Sequence, residues 1–128
     1  MISAAIQQFL KEHPEARVLD LSLTYHWYDE IEAGRKKEEY RNLNSNYYWH
    51  RFHACGNQCP PGFDVGMCKA CPRTYLHSYD YVLFHRGRFS PTAMLVQCDG
   101  IRIGYGREDW GAERGKRYFV IQLGDRII

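Results

Sequence analysis

Five short apolar runs set the pattern of this chain: VLDLSLT at 18–24, YDYVLFHRG at 79–87, TAMLVQC at 92–98, GIRIGYG at 100–106 and RYFVIQLG at 117–124. Each is short, rich in branched or aromatic residues and bounded by glycine or polar turns, which is the signature of strands rather than helices. The charged segment KKEEYR at 36–41 adds an extended stretch. About five to six strands with few helices predict an α+β chain whose sheet curls into a small, partly closed β-barrel.

Two segments break the strand pattern. Ile2, Ile6, Phe9 and Leu10 recur at helical spacing, so the opening segment reads as an amphipathic helix closed by His13 and Pro14. After the first strand, YHWYDEIEAG reads as a short helix with Trp27 and Ile31 inward, ended by Gly34, which takes a left-handed conformation without steric penalty. NLNSNYYWHRF at 42–52 fits a short helix or a strand equally.

The whole chain of 128 residues fits one domain, 1–128, with a cysteine-rich insertion at 53–78. No apolar run approaches the ~20 residues that span a bilayer, and MISAAIQQFLKEH lacks a cationic lead, so the expectation is a cytoplasmic protein with no membrane partner. The net charge of +2 hides an asymmetry: residues 1–33 carry −4 and residues 34–128 carry +6. A cationic face in the later part would favour phosphate-bearing partners.

Within that part, WYDEIEAGRKKEEYR places Lys36 two residues after the helix-ending glycine, then Glu39 and Arg41 on the following extended segment. This arrangement resembles the signature of the ASCH family of the PUA-like superfamily, a helix ending in G-x-K followed by E-x-R on a strand. YDYVLFHRG, GIRIGYG and WGAERGKRYFVIQLG look like the rest of that domain in the same order, so the resemblance covers roughly residues 18–125. It implies a PUA-like barrel with a cleft beside the signature strand and a ligand that is RNA or a modified nucleoside. Some members of the family are enzymes. One branch resembles an amidohydrolase acting on N4-acetylcytidine, and another resembles a ribonuclease, so Lys36 and Glu39 are also the candidate catalytic pair of a hydrolase. In the amidohydrolase branch the lysine works with a threonine three residues later. Here Glu39 stands in that place, and the hydroxyl nucleophile is missing.

Side chains alternate along a strand, so Glu39 and Arg41 share one face while Glu38 and Tyr40 take the other. Lys36, Glu39 and Arg41 together suit binding: a two-point cation for phosphate, a mobile charge, and an acceptor for a base amino group. A salt-bridged strand on the surface is the plainer reading of the same residues. Aromatics beside cations are candidate base-stacking positions: Tyr47, Tyr48 and Trp49 next to His50 and Arg51, Phe84 next to His85 and Arg86, and Trp110 in the loop REDWGAERGK, with Trp49 and Trp110 the foremost. Most rings nevertheless fill cores, and Tyr81, Phe84 and Phe119 are expected there.

Cys55, Cys59, Cys68 and Cys71 form a C-x3-C and a C-x2-C pair eight residues apart. Two close pairs let four thiolates surround one tetrahedral Zn²⁺, which would clamp a loop poor in apolar residues. His50, His53 or His77 would serve as a substitute ligand, and free thiols are the alternative. Cys98, inside a strand-like run, is expected to be buried. A protein-interaction module, with the cysteine loop as its contact, is the rival from another functional class.

Overall fold

A computed structural model of the chain describes residues 3–52, 76–88 and 90–128. The cysteine loop, with Cys55, Cys59, Cys68 and Cys71, lies outside the described residues, and so does the side chain of Trp49. The elements run α1 (Ala4–Glu12), β1 (Val18–Leu23), α2 (Tyr25–Glu32), β2 (Glu38–Asn42), α3 (Asn46–Phe52), β3 (Tyr81–Arg86), β4 (Ala93–Tyr105) and β5 (Arg117–Arg126), with a 3-10 turn over Glu108–Trp110 before β5. This is a small α+β fold on one five-stranded sheet of order β1-β3-β4-β5-β2. Among the described residues no helix is long and apolar enough to cross a membrane.

The chain forms two compact units. One comprises Met1–Lys37, Tyr79–Gly100 and Gln122–Ile128, the other Glu38–Ser78 and Ile101–Ile121, so β4 and β5 run through both.

In the first unit, α1 starts at Ser3, whose hydroxyl accepts from the Ile6 amide at 3.3 Å and satisfies one of the donors a helix start leaves open. Ile6 is fully buried against Leu83 and Leu95. β1 pairs parallel with β3, Leu21 opposite Phe84, and β3 pairs antiparallel with β4, Phe84 opposite Met94. The alternation of VLDLSL buries Leu19, Leu21 and Leu23 while Asp20 and Ser22 face out. On α2 the inward pair is Tyr28 and Ile31, three apart, while Trp27 is only half-buried. The sequence expectation of Trp27 with Ile31 is corrected here: one turn of helix places i, i+3 as close as i, i+4, and the larger indole takes the rim.

In the second unit, α3 resolves the ambiguous segment as helix. Its last residue, Phe52, is fully buried edge-on against Phe119 of β5, with ring centroids 5.0 Å apart. Tyr118 and Val120 pack with Ala112 and Tyr40 in the same unit. TAMLVQC and GIRIGYG, read as separate runs, are one 13-residue strand. Gly100, at φ 139°, carries β4 through the Asp-Gly pair that looks like a break in sequence.

Candidate nucleic-acid interface

Lys36 is placed by the end of α2. Gly34 adopts φ 80° with its amide bonded to the Ile31 carbonyl, and the amides of Arg35 and Lys36 both return to the Glu30 carbonyl. That tight reversal sends Arg35 outward, where it bridges Glu30 at 2.8 and 2.9 Å, and turns Lys36 inward. Lys36 is only 2% exposed, and its ammonium lies 4.5 Å from the centre of the Trp27 ring. An ammonium over an indole face is held by the ring quadrupole, more strongly when water is kept away. Lys36 also lines a cavity of about 90 Å³ with Lys37, Gly34, Glu32, Asp125 and Arg126, all in the first unit.

The strand that follows carries the other signature residues in the second unit. Glu39 and Arg41 share a face of β2 and pair at 2.8 Å, both largely buried. Arg41 also donates to the Tyr48 hydroxyl at 2.6 Å and lies 5.3 Å from the centre of that ring, so α3 and β2 together fix its guanidinium. On the opposite face, Tyr40 donates to Glu38 at 2.7 Å and accepts from the Arg107 amide at 2.9 Å, while Arg102 pairs with Glu38 at 3.3 Å. Burial, helped by the Glu38 carboxylate, pushes the Tyr40 hydroxyl well above the ordinary phenol range despite the opposing Arg107 amide, so it serves as a neutral donor. The alternation expected from sequence is therefore realised on both faces.

The remaining candidates are dispersed. Arg86, in the first unit, forks onto Asp29 at 2.9 and 3.0 Å and lies 4.4 Å from the Tyr25 ring centre, so it ties β3 to α2. This bond holds the Asp29 carboxyl below its usual range. Trp110, half-buried in the second unit, lies under Arg107 at 4.1 Å, and Arg107 in turn forks onto Asp109. Arg51 hydrogen-bonds the Tyr47 hydroxyl one helical turn away and lies 5.2 Å from its ring centre. Cys98 is buried, and burial pushes its thiol up. A larger cavity of about 440 Å³ has Glu15, Asp80, Gln97 and Cys98 in its lining, which includes two carboxylates and, among the described residues, no Lys or Arg.

Sequence reasoning set Tyr48 among the stacking aromatics and Tyr40 on the face opposite Glu39, and missed that they orient Arg41 and Glu38. The available signal was the density of tyrosines around the motif, since a buried phenol hydroxyl needs a polar partner. Charge divides with the units: the second holds nine Lys and Arg against six Asp and Glu, the first eight against nine. Among the described residues no group of three or more His, Cys, Asp or Glu side chains is placed to hold a metal ion. No family model matches the chain, and it matches none of the curated proteins and none of the solved structures.

Proposed function

We propose that this chain is an RNA- or modified-nucleoside-binding domain of the ASCH type, a PUA-like, partly closed barrel. The observation that carries this reading is the setting of Lys36: a lysine turned inward by a left-handed glycine at a helix end, nearly buried, and held over an indole. A cation held in one place by the fold meets a phosphate at a lower ordering cost than a free side chain does. In the second unit, Arg41 is an ordered cation of its own, fixed by Glu39 and Tyr48. Glu39, largely buried and engaged by Arg41 at 2.8 Å, favours binding over hydrolysis, because one of its oxygens is already taken by the guanidinium. To the cysteine pairs of the insertion we assign one structural zinc per chain, which elemental analysis of untagged protein reads directly.

Affinity for a labelled single-stranded RNA, measured across a salt series, tests the binding reading. Log K falls linearly with log salt at a slope of about −0.7 per phosphate contact, and Lys36→Met weakens binding and flattens that slope by about one contact. Absence of binding at low salt, or a folded Lys36→Met variant that binds as wild type does, overturns it.

A further inference from the structure

Tyr47 is 57% exposed on α3, although Phe52 of the same helix is fully buried. Its position is not loose. Phe119 is fully buried; Phe52 meets it edge-on at 5.0 Å; Tyr48 stacks on Phe52 at 5.9 Å and 10°; and Tyr47 meets Tyr48 edge-on at 5.2 Å. A ladder of rings thus runs from the interior of the second unit to its surface and ends in the half-exposed ring of Tyr47. Arg51, one turn along, bonds the Tyr47 hydroxyl and lies 5.2 Å from its ring centre. The ring and its cation are therefore oriented before any ligand arrives, which lowers the ordering cost of a contact.

We propose that Tyr47 is a stacking platform for one base of a single-stranded RNA, with Arg51 beside it for the adjoining phosphate. This rests on the RNA reading above and names a contact within it. Charge complementarity selects the occupant, since the second unit has an excess of three basic residues and an exposed aromatic beside a guanidinium is the arrangement that single strands use. Tyr25, 62% exposed in the first unit, is a weaker candidate, because that unit has one more acidic than basic residue. Stacking reads a π-face and not a hydrogen-bonding edge, so the contact tolerates any base.

The experiment uses the full chain with a short single-stranded RNA carrying one 5-bromouridine. Ultraviolet crosslinking followed by peptide mapping places the adduct on Tyr47, and oligouridine and oligoadenosine bind within a few-fold of each other, about as stacking alone allows. Tyr47→Ala weakens binding by about tenfold or more with an unchanged melting temperature, whereas Tyr47→Phe, which keeps the ring, stays within about threefold of wild type. Binding that survives Tyr47→Ala but not Lys36→Met overturns the platform and leaves the RNA reading standing. A wild-type protein that binds no RNA overturns both.

Discussion

Arg41 is held by the Glu39 carboxylate, the Tyr48 hydroxyl and the Tyr48 ring, so its guanidinium is ordered by groups from two elements. Glu39 and Arg41 expose only 8% and 13% of their side chains, which makes the pair costly to break from one side. Glu39→Gln keeps the shape but removes the charge, leaving the guanidinium with a weaker acceptor. We expect a loss of about 1–3 kcal/mol in a denaturant titration, with the slope m unchanged. A variant as stable as wild type would mean that the bond is not a net contributor. The residue scale was partly legible in the sequence. That Glu39 and Arg41 share one face follows from the period of a strand alone. That Tyr48 completes the setting of Arg41 does not follow, because it depends on α3 returning across β2, and periodicity carries no information about contacts between elements.

Among the elements, α1, β1, α2, β3 and β5 lie where their apolar patterns put them, each bounded by a cap or a turn that is itself visible in the sequence. β4 was harder to read. Asp-Gly is a strong turn signal, yet Gly100 at φ 139° keeps the strand running, and a Cβ on Gly124 would lie 2.7 Å from Asp99, so a glycine on the neighbouring strand makes room for that side chain. α3 was ambiguous because four of the seven residues of NYYWHRF are Tyr, Trp or Phe and show neither period clearly. Its anchor became visible only in the packing, as Phe52 against Phe119. Phe52→Ala should therefore cost about 3–5 kcal/mol in unfolding free energy and release the helix that orients Tyr48, whereas truncating exposed Tyr47 leaves stability within about 0.5 kcal/mol. Equal effects of the two substitutions would contradict the anchoring role given to Phe52.

For the molecule as a whole, the formal charge of +2 is uninformative until it is divided: the basic excess belongs to the unit that holds Arg41, Arg51 and Tyr47. The sequence already showed an acidic start and a basic remainder, but the units are discontinuous in the chain, so a linear count could not assign the excess to a folded body. The α+β class and the number of strands were legible because short apolar runs constrain architecture strongly. Function was less so, since a motif such as G-x-K-x-x-E-x-R names residue types and leaves their partners open. The most direct measurement of the central claim is a titration of isotope-labelled protein with short single-stranded RNA at low salt, followed through backbone amide shifts. Saturable shifts are expected at Lys36 in the first unit and, in the second, at Arg41 and Tyr47. Shifts confined to other segments, or none with RNA in excess, would contradict it.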